Sequence, residues 1–121
     1  MAAHKVPLKL DQGATYDNFW LWKTGPKGAE VPVNLTGAKA VADIRAELES
    51  PDVLLTLTTE NGRIFLGEDP GKIRIVISDE DTAALSFDSA TYDLFIEFAD
   101  GTRIRRMEGP VSLTKRVTRS A

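Results

Sequence analysis

Few residues of this chain have the type and spacing that catalysis or metal binding requires. The single histidine, His4, lies near the N-terminus, and a chain end is a poor support for a catalytic base. The sequence contains no Gly-x-Ser-x-Gly elbow, no phosphate-binding loop and no dinucleotide fingerprint. It also has no cysteine, which excludes disulfides and thiolate metal sites. We therefore predict that the chain is not an enzyme and carries neither a cofactor nor a metal.

One acidic run allows two interpretations. Asp79, Glu80 and Asp81 directly follow Ser78, and paired carboxylates can bind a divalent cation. The run lacks the glycine and the twelfth-position glutamate of an EF-hand loop. The alternative is a helix start, because serine is a preferred N-cap and acidic residues stabilise the first turn. We favour a short helix over residues 79–85, without a metal.

Two tryptophans are the best candidates for a binding surface. Trp20 and Trp22 are separated by one residue, so on a strand their side chains point to the same face. Exposed rings could stack on a sugar or pack against a partner protein. The alternative is a core role beside Phe95 or Phe98, which we favour because only 7% of the residues are aromatic.

Charge is distributed unevenly along the chain. Residues 61–100 hold nine acidic and three basic residues, whereas residues 101–121 hold six basic residues and one acidic residue. We expect Arg103, Arg105 and Arg116 to contact an acidic surface of a partner or of a second copy, in contacts that weaken as salt rises. The alternative is an ordinary solvated strand face. A net charge of −3 excludes a generally basic nucleic-acid binder.

The elements that must position these residues have the periodicity of strands. Apolar and polar residues alternate along 72–77, 90–99 and 102–108, which is typical of antiparallel strands with one buried face. Asn61-Gly62 and Asp100-Gly101 are strong hairpin signals. Residues 38–48 alternate in the same way, so we predict a strand there although their alanines and glutamates favour a helix.

Other segments place the strands in the sheet. Thr15–Lys23 is apolar on both faces, which predicts a central strand or one exposed to a partner. Pro7 indicates that the first strand lies at an edge. Gly109-Pro110 predicts a bulge or kink in the last strand, which should fray near Arg119.

No stretch approaches the roughly 20 apolar residues of a membrane helix. We predict an all-β fold, an antiparallel immunoglobulin-like β-sandwich with one short helix, as a single domain over residues 1–121.

The order of the motifs supports a resemblance to a known family. The motifs are Gln12-Gly13-Ala14, Trp22-Lys23, Val33-Asn34-Leu35-Thr36-Gly37, Ala42-Asp43-Ile44-Arg45, Leu57–Ile64, Ile75-Val76-Ile77-Ser78, Asp81–Leu85, Tyr92-Asp93-Leu94, Gly109-Pro110-Val111 and Val117-Thr118-Arg119. Together they resemble small structural proteins of tailed phages and prophages, and more loosely the N-terminal domain of baseplate upper proteins.

The resemblance implies a structural or assembly protein of the virion, in the tail, baseplate or neck. Such a protein is expected to contact other phage structural proteins, as a homo-oligomer or ring component, with no membrane or nucleic-acid partner. It would be assembled in the cytoplasm of the bacterial host, and the resemblance implies no catalytic residue. The alternative function is a small carbohydrate-binding module that uses Trp20 and Trp22.

Overall fold

Strands dominate the computed structural model, which describes residues 3–118. The predicted all-β class is confirmed, with one helix of six residues in the described part of the chain. The elements are β1 (His4–Lys5), β2 (Leu8–Asp11), β3 (Tyr16–Leu21), β4 (Lys23–Thr24), β5 (Val31–Pro32), β6 (Lys39–Arg45), β7 (Leu55–Thr58), β8 (Ile64–Leu66), β9 (Lys72–Ile77), α1 (Asp79–Ala84), β10 (Ser89–Glu97) and β11 (Arg103–Thr114).

Six strands form the large sheet. Its order is β7-β6-β10-β11, and the N-terminal strands β1 and β2 both pair with β11. The central pairs are antiparallel, and the predicted hairpin at Asp100-Gly101 joins β10 to β11. The hairpin predicted at Asn61-Gly62 is wrong, because β7 pairs with β6 in this sheet whereas β8 pairs with β9 in the other sheet. The two N-terminal strands instead run parallel to β11, so the prediction of a purely antiparallel sheet is wrong at this edge. Pro7 lies between β1 and β2, at the edge where its missing N–H is tolerated.

The second sheet is smaller and has the order β3-β9-β8, with antiparallel pairing throughout. A third pair, β4 and β5, is a short hairpin. Strand β3 is an edge strand, which corrects the prediction of a central strand at Thr15–Lys23. Its two apolar faces have different environments, because one faces the core and the other faces solvent.

Alternation places the inward side chains of both sheets in one hydrophobic cluster. Strand β6 confirms the strand predicted in residues 38–48, although it ends at Arg45, and Leu48 is 82% exposed in the following loop. The fully buried side chains of the cluster are Leu8, Leu10, Ile44, Leu57, Ile64, Ile73, Ile75, Ile77, Leu94, Ile96, Met107 and Val111.

The irregularity in β11 is not where the sequence predicts it. Leu94 lies opposite Met107 while Phe95 lies opposite Arg105, so Arg106 is the extra residue of a bulge. Gly109 and Pro110 continue the ladder. Position 109 favours glycine for a different reason, because a Cβ there would lie 2.6 Å from the carbonyl oxygen of Val6. Strand β11 ends at Thr114, and Arg119, where fraying was predicted, lies outside the described residues.

Helix α1 confirms the predicted start. The Ser78 hydroxyl accepts a hydrogen bond of 3.1 Å from the backbone N–H of Asp81, and acidic residues occupy the first turn. Thr82 is fully buried and joins the helix to the N-terminal strands, since its hydroxyl donates to the carbonyl of Ala14 and accepts from the N–H of Gly13. The helix therefore closes one end of the core.

Candidate functional site

The two tryptophans have different environments. Trp22 is 5% exposed and packs against Phe98 with ring centroids 5.9 Å apart, so the alternative core role describes it correctly. Trp20 is half-buried against the core. Phe19 and Leu21 are each 51% exposed on the opposite face of β3. The apolar surface of this segment is therefore the face that does not carry the tryptophans.

The bulge in β11 places Arg106 on the inner side, next to Trp22. Its guanidinium carbon lies 4.5 Å from the centroid of the Trp22 ring, a cation–π contact. Burial lowers the pKa of the Arg106 guanidinium. The Arg106 guanidinium makes no hydrogen bond or ion pair with any residue in 3–118. The sequence gives no signal for this contact, because the bulge follows from pairing with a distant strand.

Trp20, Trp22 and Arg106 line a common cavity of about 320 Å3. It lies between β1 and β3, on the side where the edges of the two sheets come together. We call it the tryptophan–arginine cleft. Its other lining residues are His4, Val6, Leu21, Lys23, Glu30, Ile73 and Met107.

Arg103 and Arg105 lie on the outer face of the large sheet, as the alternation predicts. Arg105 donates a hydrogen bond of 2.9 Å to Glu108, and Arg103 lies opposite Glu97 in the ladder. Arg105 also lines a groove of about 650 Å3 on this face. Arg105 is therefore paired with an acidic residue of its own chain, whereas Arg103 forms no ion pair with the residues in 3–118.

The same groove contains three acidic residues in neighbouring strands. Asp93 lies directly opposite Asp43 on one side and Glu108 on the other. Asp43 has a Thr56 hydroxyl at 3.3 Å and Arg45 at 3.4 Å. The Asp93 carboxylate has no ion pair or hydrogen bond within the described chain. Like charges directly opposite destabilise a sheet, but the carboxylates form no group that could hold a metal among residues 3–118.

The C-terminal basic residues are likewise used within the chain. Lys115 forms an ion pair of 3.0 Å with Asp88. The Arg116 backbone N–H donates to the Gln12 side chain, and the Arg116 side chain covers Gly13. The segregation of charge seen along the sequence is therefore partly cancelled by the fold. Arg103, Arg105 and Arg116 are not brought together into one basic patch around a single acceptor site.

The outer face of the small sheet has a distinct character. Phe19, Arg74 and Phe65 form one row across β3, β9 and β8. Arg74 lies 5.3 Å from the Phe65 ring, and Lys72 lies 4.6 Å from the Phe19 ring. Arg74 also donates two hydrogen bonds to Asp17, at 2.9 and 2.7 Å. The exposed rings are thus held in place by cations that are themselves fixed.

The backbone of β3 is unpaired on its outer edge, because β9 is its only strand neighbour among the described strands. The Phe19 N–H donates instead to the Asn18 side chain at 2.9 Å, which shows that this amide points away from β9. We call β3 with the exposed side chains of Phe19 and Leu21 the β3 edge. The sequence shows the alternation in this segment, but it does not show which face is covered.

The acidic run at the helix start is accounted for by local contacts. Asp81 accepts two hydrogen bonds from the Arg63 guanidinium, at 2.9 and 2.8 Å, beside the Ser78 cap. The one described helix is too short to cross a membrane, and no long apolar helix occurs in residues 3–118.

Comparison with family models and with curated proteins identifies no relative. No family model matches the chain, and no curated protein matches it significantly. The resemblance to phage structural proteins therefore depends on the sequence motifs alone.

Proposed function

We propose that this protein is a structural or assembly component of a tailed phage or prophage particle, located in the tail, baseplate or neck. It acts through contacts with other particle proteins and with further copies of itself, and the proposal includes no catalytic step. The resemblance of the motifs supports the phage origin. We also propose an immunoglobulin-like β-sandwich, which the single core between two sheets and the short connecting helix support.

The observation that carries the proposal is the unguarded β3 edge. Proteins normally protect sheet edges with lysines, prolines, bulges or very short strands. The edge at β1 and β2 follows this rule, with Lys5, Pro7 and Lys9, and β8 has only three residues. Strand β3 has six residues, no proline or lysine, and two half-exposed apolar side chains. Its one charged residue, Asp17, is paired with Arg74 of β9. Such an edge is suited to pairing with another strand.

Pairing at the β3 edge gives both affinity and register. A strand from a neighbouring copy would bond to the unpaired amides and carbonyls of β3. Phe19 and Leu21 would lose their solvent exposure, and full burial of one such side chain contributes about 1.5–3 kcal/mol. The Asn18 side chain has to release one amide first, which is a small cost because that bond is exposed.

The carbohydrate-binding alternative has less support. It requires exposed rings, whereas Trp22 is buried under Arg106 and against Phe98. Trp20 is half-buried at the cleft rather than on an open face. No flat pair of tryptophans is therefore available for stacking on a sugar.

The experiment uses particles produced by a host that carries the gene. Particles are purified on a density gradient, and the protein is quantified in them by mass spectrometry. We expect a fixed copy number per particle in the wild type. We expect the Phe19→Glu variant to be lost from particles, because the new carboxylate opposes burial of the edge.

Phe19→Glu should leave the monomer folded, since the carboxylate lies beside Lys72 and Arg74. The matched control is Leu48→Glu, which adds the same charge at an exposed apolar residue far from β3. Absence of the wild-type protein from purified particles would contradict the virion role. Normal incorporation of Phe19→Glu would contradict the part played by the β3 edge.

A further inference from the structure

Arg106 is held in the tryptophan–arginine cleft without an acceptor for its hydrogen bonds. A guanidinium has five N–H donors and no acceptor. The contact with the Trp22 ring stabilises the charge, but the ring face has no oxygen to accept the hydrogen bonds of the guanidinium. No carboxylate, carbonyl or hydroxyl of residues 3–118 bonds to Arg106. Three other partly buried arginines differ, because Arg45, Arg63 and Arg74 each bond to a carboxylate of the chain.

The remaining groups of the cleft are also suited to an anion. Lys23 and His4 line it beside Arg106, and Glu30 is the one acidic residue in its wall. The two cationic side chains, Lys23 and Arg106, therefore outnumber the one carboxylate, Glu30, in a cavity of about 320 Å3. Three of the residues that line the cleft are apolar and buried or partly buried, namely Trp20, Ile73 and Met107. An acceptor with an apolar stem fits these surroundings better than a small hydrated ion.

We propose that the tryptophan–arginine cleft binds the side-chain carboxylate of an aspartate or glutamate in an acidic segment of a partner polypeptide. The carboxylate accepts hydrogen bonds from the Arg106 guanidinium, whose planar fork matches two carboxylate oxygens. The methylene groups of the acidic side chain pack against Trp20. Lys23 attracts a second acidic residue of the same segment. The cleft adjoins the β3 edge and shares Trp20 and Leu21 with it, but the proposal does not depend on a role in a virion.

Arg106 is well suited to this role because its position is fixed before binding. The bulge and the contact with Trp22 hold the side chain, so less conformational freedom is lost when the carboxylate arrives. The exposed Arg105 is a poorer candidate, since it already donates a hydrogen bond to Glu108. The difference between these two adjacent arginines gives the experiment its control.

The probe is a capped peptide of alternating serine and glutamate, and its counterpart has glutamine in place of glutamate. Binding is followed by nitrogen-15 NMR on the whole protein, through the Nε–H of Arg106 and the indole N–H groups of Trp20 and Trp22. We expect the glutamate peptide to shift these three signals and the glutamine peptide to leave them unchanged. Equal shifts with both peptides, or shifts confined to the groove of Arg105, would overturn the proposal.

Arg106→Gln should weaken binding of the glutamate peptide by about tenfold or more, since hydrogen bonds to charged groups are the stronger class. Arg105→Gln should leave the affinity within about twofold, because Arg105 lies on the opposite face of the sheet. Unchanged affinity in Arg106→Gln would overturn the proposal. If Arg106→Gln does not fold, Lys23→Gln replaces it, with a loss of about twofold to threefold expected from one exposed charge and none if the proposal is wrong.

Inorganic phosphate at the same concentration is the second probe. We expect it to shift the Arg106 signal less than the glutamate peptide does, because it has no stem for the apolar wall. A phosphate shift as large as that of the peptide would overturn the proposal in favour of a general anion site.

Discussion

The phenol of Tyr92 donates a buried hydrogen bond of 2.6 Å to the carbonyl oxygen of Val6. The two residues are 86 positions apart in the sequence. Val6 lies between β1 and β2, where its N–H donates to the carbonyl of Glu108 at 2.8 Å. The same carbonyl oxygen faces Gly109, where a Cβ would approach to 2.6 Å. Tyr92, Glu108 and Gly109 thus fix the N-terminal segment, which forms one wall of the tryptophan–arginine cleft.

Tyr92→Phe should lower the free energy of unfolding by about 1–3 kcal/mol, because it leaves the buried Val6 carbonyl without its phenol donor. Chemical denaturation measures the change. Tyr16→Phe is the control, since Tyr16 is only partly buried and its phenol has no buried backbone acceptor. If both variants lost the same free energy of unfolding, the hydrogen bond from Tyr92 to Val6 would make no specific contribution to stability.

The stability of the protein should fall at alkaline pH in a way that depends on Tyr92. Burial raises the pKa of the Tyr92 phenol above its ordinary value of 10. Near pH 10 and above, the unfolded chain loses this proton while the folded chain keeps it, so the free energy of unfolding decreases as pH rises. Below pH 10 the stabilisation is complete.

Denaturation curves of the wild type and Tyr92→Phe between pH 8 and 11 test this linkage. The difference in unfolding free energy between the two proteins should be constant below pH 10 and should shrink above it. Burial also raises the pKa of Tyr16, and the charge of Tyr16 adds to the raised pKa of Tyr92. Tyr16 is present in both proteins, so the difference between them reports the removal of the Tyr92 phenol. A difference that stays constant over the whole range would contradict the prediction.

Gly109→Ala should destabilise the protein and detach the N-terminal segment. The added methyl group would lie 2.6 Å from backbone oxygen of Val6, and backbone cannot move aside as a flexible side chain can. We expect a loss of about 1–3 kcal/mol. Amide hydrogen exchange should speed up at Val6 more than in the centre of β10. Ser112→Ala on the exposed side of the same strand is the control, and a loss of the same size there would contradict the steric explanation.

The Arg74 guanidinium holds the pKa of the Asp17 carboxyl below its ordinary value of 3.8, mainly through two hydrogen bonds. Arg74→Gln should therefore raise the pKa of Asp17, which an NMR titration of the carboxyl carbon measures. The stabilisation from this pair is present above pH 3.8 and is lost as pH falls through the folded-state pKa. Arg105→Gln, which removes an arginine that does not contact Asp17, should leave that pKa unchanged.

The sequence predicts those parts of the fold that depend on neighbouring residues. The alternation around Ala42 and Ile44 outweighs the helix propensity of the same segment, because a strand here buries alternate side chains against β10. Ser78 predicts the helix start, since its hydroxyl bonds to an amide only three residues away. The turn at Asp100-Gly101 is local in the same sense. Each of these signals acts within a few residues.

Features that depend on distant pairing are not visible in the sequence. The parallel pairing of β1 and β2 with β11 requires residues about 100 positions apart. The bulge at Arg106 arises because β10 and β11 change register between Leu94 and Phe95. The candidate sites depend on both features. For this reason the sequence identifies Trp20 and Trp22 as candidate site residues but does not identify Arg106. It also does not distinguish Arg103 from Arg105, although only Arg105 has a carboxylate bonded to it.

We propose two alternative contacts between copies of this protein, and they should differ in salt dependence. The charged contact predicted from the sequence uses Arg103, Arg105 and Arg116, and it should weaken as salt screens it. The β3 edge uses backbone hydrogen bonds and the apolar side chains of Phe19 and Leu21, which salt does not screen. Because Arg105 and Lys115 already pair with acidic residues of their own chain, we expect the β3 edge to dominate.

Light scattering of the purified protein at low and high salt separates these contacts. We expect an average mass above that of the monomer at both salt concentrations, with no decrease at high salt. Phe19→Glu should return the protein to a monomer, whereas the double variant Arg103→Gln and Arg105→Gln should associate like the wild type. Association that disappears at high salt and in the double arginine variant would instead support the charged contact. A monomer at high protein concentration under every condition would contradict both contacts, and with them the expected homo-oligomer.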